Sequence, residues 1–233
     1  MRRKKAVELC RFELGTGGNI KKFLLLLAIV TGLSLSSAVA GTETKTDMKE
    51  IARPAVTSQK DWTIELGSGC LFSNVRVNGP ASYTMVPINL TASLKLDDVS
   101  LDHFLGGWLR GYSEFYFNGG YFDIVSGPEN RYAGVMFGPR YNFVQPGWKI
   151  IPFVSGGVGL GFADSKPQLG GLGEDFNFSF EASAGLRYNF CDDWFLRLAV
   201  EYKHISNAGL SEPTNPNHPI DALGPQLSLG YSF

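Results

Sequence analysis

His204 and Ser206 stand two residues apart in a stretch that alternates, with Arg197, Ala199, Glu201 and Lys203 on one parity and Leu196, Leu198, Val200, Tyr202, His204 and Ser206 on the other. Side chains two apart on a strand share a face. The His204 imidazole is therefore placed to take the Ser206 hydroxyl proton and make that oxygen nucleophilic, as in serine esterases. A third group should hold the other ring nitrogen. Counting back from Phe233 through Tyr231, Leu229, Leu227, Pro225 and Leu223 keeps to an apolar parity and arrives at Asp221, at the top of the segment expected to pair antiparallel with the first. Glu212, the nearest rival carboxylate, lies between the two segments without such a register. A blander reading competes, because strand tops rise into a headgroup region where polar side chains are tolerated. The residues alone leave both open.

The face carrying His204 and Ser206 is otherwise apolar, so the elements that position them must turn that face to lipid. Eight alternating segments are expected, at 62–72, 84–97, 104–117, 131–143, 149–162, 175–190, 195–207 and 222–233. In the second, Val86, Ile88, Leu90, Ala92, Leu94 and Leu96 oppose Asn89, Thr91, Ser93 and Lys95. In the sixth, Phe176, Phe178, Phe180, Ala182, Ala184, Leu186, Tyr188 and Phe190 oppose Asn177, Ser179, Glu181, Ser183, Arg187 and Asn189. Connections at 98–103, 144–148 and 191–194 are short, and those around Asn74, Gly119, Gln168 and Ser211 are longer, the asymmetry of periplasmic turns against outer loops. Trp62, Trp108, Trp148, Trp194, Tyr141, Tyr188 and Tyr231 gather at strand ends, as interface aromatics do. The fold class is therefore all-β, an eight-stranded antiparallel transmembrane β-barrel of the bacterial outer membrane. The opposite parity carries Glu65, Lys95, Arg110, Glu114, Arg140, Glu181, Arg187, Arg197, Glu201 and Lys203. A soluble barrel of the lipocalin kind would place apolar side chains there. A barrel this narrow is filled by its side chains, so a mixed-sign polar plug is expected in place of a pore.

Ahead of the barrel, Arg2, Arg3, Lys4, Lys5, Lys21 and Lys22 precede the apolar run Phe23 to Val30 and the Ala38-Val39-Ala40 motif. That pattern predicts a signal peptide over 1–40, a periplasmic segment over 41–61 and the barrel over 62–233. Cys10 would leave with the leader, and Cys70 and Cys191 are read as unpaired thiols. A net charge of −1 offers no concentrated basic face for nucleic acid. No His, Cys or carboxylate cluster has metal-ligand spacing; His103, in a short turn, and His218, in a Pro-flanked loop, are read as solvated. The glycine run at 156–161 falls within a strand, where it cannot cradle phosphate as a loop opening a helix does. No cofactor is expected.

The run Glu201-Tyr202-Lys203-His204-Ile205-Ser206-Asn207-Ala208-Gly209-Leu210, followed by a Pro-rich loop, Ile220-Asp221 and a closing aromatic strand, resembles the PagL-type lipid A 3-O-deacylases. The likeness is carried by 195–233 and is architectural before that. It implies an outer-membrane esterase acting on lipid A (lipopolysaccharide) in the outer leaflet, with Ser206 as nucleophile, His204 as general base and Asp221 as the acid, where the best-known member has Glu. It also implies an oxyanion hole at Asn207 and the Gly209 backbone. The final segment Leu227 to Phe233 resembles the signal read by the outer-membrane barrel assembly machinery. A non-catalytic barrel acting as adhesin or structural protein, and a lipid acyltransferase, are the competing classes.

Overall fold

The computed structural model describes residues 60–73, 82–102 and 104–233. The expected signal peptide, nearly all of the segment 41–61, Cys10, His103 and the loop around Asn74 lie outside the described residues.

Eight strands form one closed antiparallel sheet. The first, β1, runs Trp62–Gly69, breaks at Cys70 and resumes as Leu71–Phe72 in unchanged register. Then follow β2 (Thr84–Lys95), β3 (Gly111–Ser126), β4 (Arg131–Phe143), β5 (Ile150–Ala163), β6 (Phe176–Asn189), β7 (Trp194–Ser206) and β8 (Ile220–Ser232). Each strand pairs with the next, and β1 pairs with β8 from Thr63↔Ser232 to Gly69↔Gln226, which closes the barrel and leaves no free edge. The alternation expected in β2 and β6 is the alternation found. Ile88, Leu90, Phe178, Phe180 and Leu186 are exposed on the outer wall, and Thr91, Ser93, Asn177, Ser179 and Arg187 are buried within.

The third strand departs from expectation. It begins at Gly111 and continues to Ser126, past the glycine pair expected to form a long outer loop. Gly119 and Gly120 instead sit in the ladder opposite Leu90 and Asn89. A Cβ on Gly120 would stand 2.7 Å from Asn89 Oδ1, so its missing side chain serves close packing and not a turn. The outer link at 127–130 is consequently tight, while the link at the other end, 96–110, is long and holds a 3-10 turn at Phe104–Gly107. Arg110, expected inside, lies in that link and pairs with Asp102 at 3.1 Å. Of the two barrel cysteines, Cys70 is a free thiol, as expected.

The lumen is polar only in part. Toward the end carrying the strand termini, Glu65 accepts from Arg140 at 2.9 Å and from Arg197 at 3.0 Å, while Glu114 receives Arg140 at 3.2 Å and Arg187 at 3.6 Å. Higher up, Lys203 pairs with Glu181 at 2.9 Å, and Glu181 also accepts the Tyr116 hydroxyl at 2.6 Å. Beyond this the lining changes character. Leu71, Met85, Phe122, Ile124, Tyr132, Ala163, Leu172, Ile205, Ile220 and Ala222 form one buried apolar cluster at the opposite end. The expected mixed-sign plug thus fills one part of the lumen, and an apolar cluster that was not expected fills the other.

Candidate active site

The apolar cluster is what aims the site. Ile205, Ile220 and Ala222 are each 0% exposed inside the barrel, and burial of three aliphatic groups leaves the strand tops no freedom to slip by one residue. With Ile205 locked inward, His204 and Ser206 must point out. With Ile220 and Ala222 inward, Asp221 must point out as well. Register completes the placement, since His204 is directly opposite Asp221 across the β7–β8 ladder.

His204 Nδ1 lies 2.7 Å from Asp221 Oδ1, and the facing carboxylate identifies Nδ1 as the protonated nitrogen. Nε2 is left for a proton arriving from elsewhere. Ser206 Oγ accepts two hydrogen bonds, from Asn217 Nδ2 at 2.9 Å and from the Ala208 backbone N–H at 3.2 Å. No hydrogen bond joins it to His204. Glu212 is exposed in the β7–β8 loop and has no partner in the ladder that sets Asp221 opposite His204.

The turn after Ser206 explains both donors. Ala208 and Gly209 take left-handed backbone angles, φ 57° and 78°, which costs about 1 kcal/mol at the alanine and brings the Ala208 N–H back over the Ser206 side chain. Asn207 holds this turn. Its Oδ1 accepts the Gly209 N–H at 2.9 Å, and its Nδ2 donates to Ser211 Oγ at 2.7 Å. The side chain of Asn207 and the N–H of Gly209 are therefore engaged with each other and with Ser211 in this turn. Short polar side chains commonly build turns in this way.

Asn217 is the group that the alternation pattern missed. It sits in the loop Thr214 to Pro219, where no periodicity tells which way a side chain points. Its Oδ1 accepts the Gly173 N–H at 3.3 Å, which assigns the amide so that Nδ2 faces Ser206. The β5–β6 link that carries Gly173 is anchored in turn by Glu129. That carboxylate, 1% exposed, accepts the Leu172 N–H at 2.6 Å and the Tyr83 hydroxyl at 2.7 Å. Burial and the adjacent carboxylate push the Tyr83 phenol up from its ordinary value, so it remains a donor. His218 is half-buried and engages Gly171 O through its backbone N–H at 3.3 Å. Among the described residues, no group of three or more His, Cys, Asp or Glu is placed to hold a metal ion.

The model of the lipid A 3-O-deacylase (PagL) family matches residues 88–232, a span that includes His204, Ser206, Asn217 and Asp221. The chain belongs to that family. Membership assigns it to the lipid A deacylases, hydrolases built on outer-membrane β-barrels. Among solved structures, the chain is similar to the outer membrane enzyme PagL, at 21% identity, with 71% of this chain and 97% of that one covered and a TM-score of 0.48. It is also similar to the N-terminal β-barrel domain of Pseudomonas aeruginosa OprF, at 17% identity, 75% and 98% coverage and a TM-score of 0.46. Neisserial surface protein A follows at 14% identity, 74% and 97% coverage and a TM-score of 0.49. No curated protein matches the chain.

Proposed function

We propose that the protein is an esterase that hydrolyses the 3-O-linked acyl chain of lipid A in the outer leaflet, using Ser206, His204 and Asp221 on the lipid-facing wall. The observation that carries this reading is the His204–Asp221 pair at 2.7 Å beside an outward Ser206. Three polar groups meet on a face that otherwise presents Leu198, Val200, Leu223 and Leu229 to hydrocarbon. Polar groups in such surroundings are uncommon without a task.

Ser206 Oγ attacks the ester carbonyl carbon as its proton passes to His204 Nε2. In the free enzyme the nucleophile is engaged by Asn217 and Ala208, and rotation about its χ1 brings it to the imidazole; such contacts often tighten only when substrate is bound. Charge then develops on the carbonyl oxygen. The Asn217 Nδ2 and Ala208 N–H donors, released as Oγ turns to the carbon, are within reach of that oxygen, where one donor contributes about 3 kcal/mol to the transition state. His204 returns the proton to the departing sugar oxygen, the C–O bond breaks, and an acyl-Ser206 ester remains. Water, deprotonated by His204, hydrolyses it to a free hydroxy fatty acid. Asp221 keeps the imidazole in the required tautomer throughout. Substrate enters sideways from the membrane, so a sealed lumen is no obstacle.

The test is the lipid A mass spectrum from cells with and without the protein. Loss of one hydroxyacyl chain is expected, and it should vanish with Ser206→Ala. Unchanged lipid A with the wild type, or continued release with Ser206→Ala, sinks the reading; a gain in mass would point to acyl transfer.

A further inference from the structure

Tyr202 precedes His204 by two residues on the outward parity of β7, so Tyr202, His204 and Ser206 stand in one row up the barrel wall. Its hydroxyl donates to Asp221 Oδ1 at 2.5 Å, the same oxygen that faces His204 Nδ1 at 2.7 Å. Tyr202 is directly opposite Leu223, so it reaches Asp221 along the ladder diagonal, a span that a long aromatic side chain can cross.

An ordinary girdle tyrosine aims its hydroxyl at interfacial water. Tyr202 instead turns its hydroxyl onto a carboxylate that is only 6% exposed. The ring is held in this pose by the edge of Phe180, which stands opposite His204 on β6, at 6.4 Å between centroids and an interplanar angle of 62°. A carboxylate has a soft torsion at its last bond. Two donors converging from different positions on one oxygen define that torsion, where a single donor would let the group swing.

We propose that Tyr202 is a positioning residue of the deacylase site, with its phenol O–H holding the Asp221 carboxylate in the rotamer that aims it at His204 Nδ1. This rests on reading Ser206, His204 and Asp221 as the catalytic triad. Tyr202 acts through Asp221 and makes no contact with the reacting atoms. Its loss should therefore lower turnover and leave substrate affinity alone, and the loss should disappear once Asp221 can no longer act.

The experiment compares fatty acid release from lipopolysaccharide in detergent micelles by the wild type, Tyr202→Phe, Asp221→Asn and the double variant. Tyr188→Phe, which removes a hydroxyl from the lipid-facing wall far from the site, is the control. Tyr202→Phe should lower kcat about tenfold, the equivalent of one hydrogen bond to a charged group, with KM unchanged. In the Asp221→Asn background the same change should have no further effect, and Tyr188→Phe should behave as wild type. Heat-modifiable mobility, which reads barrel folding without reference to activity, should be unaltered in all. An active wild type with undiminished kcat in Tyr202→Phe overturns this inference and leaves the triad standing. The same follows if Tyr202→Phe lowers kcat equally with and without Asp221, or loses heat-modifiable folding. A wild type that releases no fatty acid overturns the triad reading and this inference together.

Discussion

His204 and Asp221 face each other directly across the β7–β8 ladder, with Nδ1 and Oδ1 2.7 Å apart. Their meeting follows from two aliphatic neighbours, Ile205 and Ile220, which pair across the same ladder one step away and are both fully buried in the lumen. The apolar plug at that end of the barrel is thus the foundation of the polar site outside it.

Asp221→Asn keeps the size of the side chain but removes the charge and presents an amide N–H that can donate to Nδ1 and favour the wrong imidazole tautomer. Turnover should fall by about 10³ to 10⁴, the scale seen when the acid of a serine triad is neutralised. Rates of fatty acid release from lipopolysaccharide check this, with Glu212→Gln as the companion variant. Because Glu212 is exposed in the β7–β8 loop, outside the ladder that sets Asp221 opposite His204, its rate should match the wild type.

Asn217→Ala and Asn207→Ala should separate two asparagines that look alike in a motif. Asn217 donates directly to Ser206 Oγ, so its truncation should lower kcat by about 10² to 10³, as for a lost oxyanion donor, with the barrel as stable as before. Asn207 is 0% exposed and bonded to Gly209 and Ser211, so its truncation leaves buried partners unsatisfied, at about 1–3 kcal/mol. Urea unfolding in micelles should register Asn207→Ala and not Asn217→Ala.

These two asparagines also mark where the sequence stops being readable. On β2, β6, β7 and β8, alternation gives the facing of nearly every side chain, because a strand has only two faces and lipid rejects charge. Hence the alternation alone places His204, Ser206 and Asp221 in one outward group. Asn217 was not, because a loop has no period and its amide is aimed by Gly173, a residue on a different link. The misreading of β3 has a related cause. Gly119-Gly120 carries the same letters in a turn and in a ladder, and what requires glycine at 120 is the crowding of Asn89 and Phe122, which the sequence does not display. The apolar upper lumen was hidden by the same rule that worked elsewhere, since inward Ile205, Ile220 and Ala222 read as exceptions to a polar face.

Glu65 is the hub of the charged part of the lumen. It is 3% exposed and bonded to Arg140, Arg197 and the Ser228 hydroxyl, the last at 2.9 Å. Glu65→Ala leaves two buried guanidinium groups short of their counter-charge, a defect worth about 3–5 kcal/mol. The urea midpoint of the folded barrel should drop accordingly. Acyl release measured well below that midpoint should persist, because the network is on the inside of the wall, toward the end of the barrel away from Ser206.

Glu129 tests whether the outer loops form part of the catalytic apparatus. Its carboxylate holds the Leu172 N–H at 2.6 Å, the next residue, Gly173, holds Asn217 Oδ1 at 3.3 Å, and Asn217 Nδ2 holds Ser206 at 2.9 Å. Three short links thus join a buried acid in the β3–β4 turn to the nucleophile. Glu129→Ala removes the acceptor of the Leu172 and Lys166 N–H groups and of the Tyr83 hydroxyl, so the 164–175 link should loosen. Limited proteolysis of the folded barrel should then cut within that link, where the wild type resists. Turnover should fall with it, by less than in Asn217→Ala, because Asn217 is still present but held on one side only. If Glu129→Ala opens the link to protease while turnover stays at the wild-type level, the links do not carry position to Ser206, and Asn217 is held by its own loop alone.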